Sequence, residues 1–302
     1  MDFAATGNGI VVGVDGSPGS QRAVEWGARE ASRMALPLIL VHGFGIPGAF
    51  AGEAVPPGDW LSAHEVYAEG LLADARRLAW RIAPDLPVTV ESSVDGPIPL
   101  LVKKSGTARM LVLGSAGRGA LRDLLIGSTA LALAGHARSP VTVVRGREPD
   151  PDAPVVVGVD GYAPAEPAIG PAFEEAAARD VPLVAVHVWS DSDLAEAFGW
   201  EPFGTAPRAD TERAVLDRSL APWRAKFPEV VVRPVAERGR VRARLLDWSA
   251  TAQLVVAGSR GRGGFRGMLL GSTTQALIHH ADCPVLIARS PLDQQPPPAH
   301  PA

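Results

Sequence analysis

The chain has 302 residues, 46% of them hydrophobic and 21% charged, with 29 Lys and Arg against 33 Asp and Glu for a net charge of -4. That composition suits a globular protein long enough for two domains, and the charge gives no reason to expect a nucleic-acid or membrane partner. No run approaches the roughly 18 apolar residues of a membrane helix, the N-terminus MDFAATGNG lacks the basic and apolar parts of a leader, and the single Cys283 cannot form an intrachain disulfide or a cysteine zinc site. A cytoplasmic protein is expected, with Cys283 a small buried apolar residue.

The first apolar run, IVVGVDGSP at 10–18, is short and rich in β-branched residues, which predicts a buried strand over 10–14. A helical period follows over 19–34. Further strands are predicted at 38–42, 88–92, 110–113 and 141–144, with helices over 60–82, 98–107 and 128–137. Because crossovers between parallel strands are right-handed, this order makes a doubly wound, Rossmann-like α/β sheet of five parallel strands with helices on both faces.

GREPDPDAP at 146–154 has the composition of a linker, and then the chain starts again. VVVGVDGYAP at 155–164 answers the first run, VPLVAVH at 181–187 answers LPLILVH at 36–42, and CPVLIAR at 283–289 answers SPVTVVR at 139–145. Self-similarity over this length indicates duplication of a whole domain. The predicted domains are 1–146 and 155–290, with the proline-rich residues 291–302 disordered. The last strands, 141–144 and 285–288, are short apolar edges expected to pair as a pseudo-twofold, and the same surfaces suit a homodimer.

The most specific repeat stands just past the fourth strand. GSAGRGALRDLLIGST at 114–129 is matched by GSRGRGGFRGMLLGSTT at 258–274. The shared spacing is Gly114, Gly117, Gly127 and Ser128, then Gly258, Gly261, Gly271 and Ser272. Ser115, Ala116, Gly119, Ala120, Ser259, Arg260, Gly263 and Gly264 fill the loops between. Glycine after a strand allows close approach of backbone N–H groups to an anion, and the final Gly-Ser opens a helix whose N-terminus supplies unpaired donors and a positive dipole end. Taken singly, these glycines are also compatible with tight turns, and Ser128 and Ser272 with ordinary N-caps. As a doubled constellation they point to phosphate. Arg118 and Arg262 sit where they can pair with phosphate oxygens or be solvated. Copy one has Ala120 and Asp123 where copy two has Gly264 and Gly267.

Asp15 and Asp160 end the first strand of each copy. A carboxylate there accepts from ribose hydroxyls, or holds a metal bridging the phosphates, or forms an Asx turn before the helix. His42 and His187 close the second strand, as walls of a base pocket or as half-buried strand-end residues. GFGIPG at 43–48 matches a dinucleotide fingerprint but runs into no helix, and the chain has neither a Gly-Lys dipeptide nor GxSxG, which excludes a Walker loop and a hydrolase elbow.

GVDGS, the VH at the second strand end, the two glycine loops, and HARSPVTVVR with HHADCPVLIAR together resemble the universal stress protein family in its tandem-domain, ATP-binding form. The resemblance spans nearly the whole chain outside the linker and tail. It implies the adenine nucleotide alpha hydrolase-like variant of the fold, with ATP, and Mg bridging its phosphates, enclosed by Asp15, the backbone at Val41 and the loop from Gly114 to Ser128 with Thr129. In copy two it implies Asp160, Val186 and the loop from Gly258 to Ser272 with Thr273. Gly13 and Gly158 would let backbone pack against the nucleotide.

Two functions follow from the resemblance. One is a nucleotide-dependent regulatory or signalling module in stress response or growth control, acting on an unidentified protein partner. The other is a slow ATPase or nucleotidyl-transfer enzyme. Hydrolysis needs a positioned water or a base, and the glycine loop offers no lysine and no carboxylate beyond the strand-end aspartates, so the module is favoured.

Overall fold

A computed structural model of the chain describes residues 9–45, 58–115, 127–161, 167–189, 206–260 and 270–289. The first half runs β1 (Ile10–Gly13), α1 (Pro18–Arg33), β2 (Leu38–Gly43), α2 (Gly58–Ile82), β3 (Val88–Ser93), α3 (Pro97–Lys104), β4 (Met110–Gly114), α4 (Ser128–His136) and β5 (Val141–Val144). The second half repeats it as β6 (Val155–Val159), α5 (Ile169–Arg179), β7 (Leu183–Trp189), α6 (Ala206–Lys226), β8 (Val232–Arg238), α7 (Val241–Ser249), β9 (Leu254–Gly258), α8 (Ser272–His280) and β10 (Val285–Ala288). The predicted strands are found within a residue or so of their bounds. The helices differ chiefly at their ends, where caps decide.

Each half has its five strands parallel in the order 3-2-1-4-5, with the direction of winding across the sheet reversing between β1 and β4. The strands read as continuous apolar runs because both faces are covered. Ile10, Val12 and Val14 belong to the core under α1 and α2, while Val11 belongs to the opposite core with Leu133 and Ala134 of α4. On α1 the face against the sheet is made of small residues, Ala23, Gly27, Ala28 and Ala31, so the helix packs close; a Cβ on Gly27 would come 2.7 Å from Val12.

The two halves form one sheet. β5 and β10 pair antiparallel, with Val143 opposite Val285, Thr142 opposite Leu286 and Val141 opposite Ile287, so ten strands run in the order β3-β2-β1-β4-β5-β10-β9-β6-β7-β8. Both strands are buried along their whole length, and an uncovered edge of that kind leaves N–H and C=O groups that pairing satisfies. The surface expected to support a homodimer is therefore used inside the chain.

Residues 146–154, linker-like by composition, are mostly exposed but are tied to the second half by hydrogen bonds. Arg147 N–H donates to Asp282 O at 3.0 Å, and Gln253 Nε2 donates to the carbonyls of Pro151 and Ala153 at 2.9 and 2.6 Å.

Candidate functional site

The site is built where β1 ends. Gly16 has φ +81°, a turn that only glycine adopts cheaply, and Ser17 N-caps α1 with Pro18 at the first helical position. Asp15 Oδ1 accepts from the Ser17 N–H at 2.9 Å and from the Ser17 hydroxyl at 2.6 Å, while Ser20 Oγ accepts the Asp15 N–H at 3.1 Å. The Asx turn considered from sequence is thus formed. It occupies one carboxylate oxygen; Oδ2 makes no hydrogen bond among the described residues. Asp160 is likewise followed by a glycine of positive φ, Gly161 at +78°.

His42 and His187 hold the crossing between the first two strands of each half. The Nδ1–H of His42 donates to Val14 O at 2.6 Å and that of His187 to Val159 O at 2.9 Å. Both rings are buried, more than a half-buried strand end implied. They differ at the other nitrogen. His187 Nε2 lies 3.0 Å from Glu212 Oε2, whereas the His42 ring sits 6.3 Å from both Phe44 and Tyr67.

The ends of each glycine loop are brought together in the same way in both halves. Ser115 N–H donates to Val144 O at 3.0 Å and its carbonyl accepts the Gly127 N–H at 2.8 Å; Ser259 N–H donates to Ala288 O at 3.0 Å and accepts from Gly271 at 2.9 Å. The second glycine of each motif is thereby returned to the strand end carrying the first. Gly127 and Gly271 are themselves the N-caps of α4 and α8, with no side-chain cap bond, and Ser128 and Ser272 stand one position inside the helices. The N-cap alternative for these serines is therefore replaced. A glycine cap offers no oxygen to the first amides of the helix, so those donors are left to solvent or to a ligand.

A cleft lies over this end of the first half. Gly13, Asp15, Val41, Gly114, Gly127 and Thr129 of the predicted set line it. Its apolar wall was not foreseen: Pro97, Leu100 and Leu101 come from α3, and Leu113 from β4. Helical period places leucines on one face of α3 but does not say which sheet end they reach. Val41 O already accepts the Val14 N–H at 2.8 Å, which leaves that carbonyl one further lone pair.

Several predicted glycines have structural duties as well. A Cβ on Gly13 would stand 2.7 Å from Leu113, and one on Gly158 would stand 2.9 Å from Leu245, so their missing side chains make room for apolar neighbours. A Cβ on Gly114 would fall 2.4 Å from the carbonyl carbon of Gly19, because the first turn of α1 crosses directly over the end of β4.

In the second half Asp160, Val186, Gly258, Ser259, Ser272 and Thr273 take positions equivalent to those in the first, and Arg260 follows Ser259 past the end of β9. Besides the His187–Glu212 contact, a further bond distinguishes this half. Thr274 Oγ1 donates to Gly258 O at 2.7 Å, where the first half has Ala130. Ala116, Gly117, Arg118, Gly119, Ala120 and Asp123, with Gly261, Arg262, Gly263, Gly264 and Gly267, lie outside the described residues. Among the described residues there is no cluster of three His, Cys, Asp or Glu able to hold a metal and no helix long and apolar enough to cross a membrane.

The model of the universal stress protein family matches residues 8–145 and again 153–289. Two universal stress proteins of Mycobacterium tuberculosis are similar almost end to end: one is 40% identical over 289 residues, covering 93% of this chain and 97% of its own length. The other is 38% identical over 291 residues, covering 94% and 97%. Among solved structures, a universal stress protein from Archaeoglobus fulgidus superposes with a TM-score of 0.68 at 17% identity, over 94% of this chain and 99% of that one, so it shares the fold. With two family matches in tandem and this identity over nearly its full length, the chain belongs to the universal stress protein family.

Proposed function

We propose that the chain binds an adenine nucleotide, ATP, at the carboxyl end of the sheet in each half, and acts as a nucleotide-dependent regulatory module in stress response or growth control. The observation that carries this reading is the pair of glycine-capped helices, each returned to its strand end by the Gly127–Ser115 or Gly271–Ser259 bond. Backbone amides without a side-chain cap, at the positive end of a helix dipole, suit a phosphate chain. In the first half the apolar wall of Leu100, Leu101 and Leu113 suits a base, and Asp15 with its second oxygen suits ribose hydroxyls. A magnesium ion would take its oxygens mainly from the phosphates and water, with at most Asp15 added.

The reading includes a cytoplasmic protein whose loaded and empty states differ in their contacts with a partner protein or a second copy of the chain.

Mass spectrometry of the small molecules released on denaturing freshly purified protein should find ATP or ADP. Calorimetry should show ATP binding lost in the double variant Gly117→Glu, Gly261→Glu, with melting temperature in the absence of ATP little changed, because the buried sheet is untouched. Normal binding by that variant would overturn the loop assignment. Multiple-turnover phosphate release should be slow or absent.

A further inference from the structure

The arginines that end the two last strands exchange places across the molecule. Arg145 follows β5 in the first half, and its guanidinium Nη1 donates to Ile278 O in α8 of the second half. Arg289 follows β10 in the second half, and its guanidinium donates to two carbonyls of α4 in the first half, Ala134 O at 2.8 Å and Gly135 O at 3.0 Å. The two contacts are copies of one another: Arg145 and Arg289 are equivalent in the repeat, as are Ala134 and Ile278. They exist because β5 and β10 run antiparallel side by side, so the residue leaving each strand emerges beside the final helix of the other half.

The carbonyls that receive these bonds belong to the last turn of a nine-residue helix, where no intrahelical N–H is available. A helix that short is not stable by propensity, and its orientation depends on what grips its ends. α4 has Gly127 at the start, without a side-chain cap, and the Arg289 fork at the finish. The starts of α4 and α8 are the amides assigned to phosphate above. A cation at the C-terminal end also complements the dipole whose positive end faces the ligand.

We propose that Arg289 and Arg145 are positioning residues for the nucleotide sites of the opposite halves: Arg289 sets α4 for the first site, and Arg145 sets α8 for the second. Each site then depends on a residue contributed by the other repeat. Arg289 adds a direct link, because burial and the nearby charge of Arg260 together push its guanidinium down from its ordinary range. Arg260 stands at the start of the second glycine loop, and Arg289 feels its charge while binding the helix that serves the first site.

This inference rests on the nucleotide reading, and a crossed experiment separates the two. ATP is titrated calorimetrically into the full chain carrying Gly261→Glu, which leaves the first site, or Gly117→Glu, which leaves the second, each with and without Arg289→Met or Arg145→Met. Losing a charged hydrogen-bond donor at the helix end is expected to weaken the dependent site about tenfold. Arg289→Met should show that loss at the first site and less than about twofold at the second, and Arg145→Met should show the reverse. Arg289→Lys, which keeps the charge but not the fork, should restore part of the affinity.

A general loss of structure would weaken both sites alike in each variant. Equal weakening of both sites, or affinities unchanged within about twofold, would overturn the proposal. If the methionine variants do not fold, the lysine variants carry the same crossed comparison. Failure of the unaltered chain to bind adenine nucleotide would overturn the nucleotide reading itself, and the positioning role with it.

Discussion

Gly114 shows how one residue serves two purposes. Its place in the glycine loop points to phosphate, yet the space its side chain would fill is occupied by backbone of α1: Gly19 C at 2.4 Å, Gly19 O at 2.5 Å and Ser20 N at 2.8 Å. Backbone at such distances cannot rotate aside. Its counterpart Gly258 is looser, with Arg260 O at 3.1 Å and Pro167 at 3.9 Å. Gly114→Ala should therefore cost about 2–3 kcal/mol, the penalty of overpacking a fixed site, and Gly258→Ala about 1 kcal/mol or less. Urea unfolding of the two variants checks this, and equal losses would contradict it. The glycine pattern was legible in the chain; the helix crossing over it was not, because nothing in GSAG records what passes above.

Between elements, one charged cluster is deeply buried. Glu30 of α1 and Glu175 of α5 are 0% and 1% exposed, and both bind the guanidinium of Arg179, at 2.6 Å for Glu30. Arg33 adds a second contact to Glu30 at 2.7 Å. This cluster ties the first helix of one repeat to the first helix of the other. Removal from water, and then the charge of Glu30, push the Glu175 carboxyl up from 4.5 to about 7, against the opposing pull of Arg179. The folded protein thus holds this proton more tightly than the unfolded chain does. The stability Glu175 contributes is fully present below about 4.5 and is lost as pH rises through about 7. Glu175→Gln should flatten that part of the stability profile, measured as urea midpoints across this range. A variant keeping the parent's pH dependence would contradict the assignment. Periodicity puts Glu30 and Glu175 on helices, but a carboxylate in a helical pattern reads as solvated; only the packing of α1 near α5 reveals the buried trio.

At the level of the entire chain, the pairing of β5 with β10 makes two repeats into one ten-stranded sheet. The free edges of that sheet are β3 and β8. β8 carries Pro234, Arg233 and Arg238, residues that discourage further strand addition. β5 has no such protection, with all four of its residues buried. A chain ending at Arg147 would expose it. That half is expected to form a homodimer by the same antiparallel pairing, with a second β5 in the place of β10. Sedimentation should find a dimer, and Thr142→Lys should shift it toward monomer by burying a charge in the joint. A half that stays monomeric with β5 uncovered would contradict the edge argument.

The duplicated strand–helix order, the strand limits and the parallel five-stranded fold of each repeat were decided by the sequence alone. Buried parallel strands write themselves as uninterrupted Val, Ile and Leu runs, and a duplicated domain writes its motifs twice. The glycines and aspartates at the strand ends were equally legible, since turns and close backbone approaches demand those residue types locally. Beyond the pairing of β5 with β10, which the two short apolar edges announced, tertiary structure alone decided which side chains far apart in the chain meet. It set the leucine wall from α3, the Glu30–Arg179–Glu175 trio, and the exchange of Arg145 and Arg289 between repeats. Each depends on which surfaces meet once ten strands have closed into one sheet, and side-chain identity at a position carries no record of its distant partner.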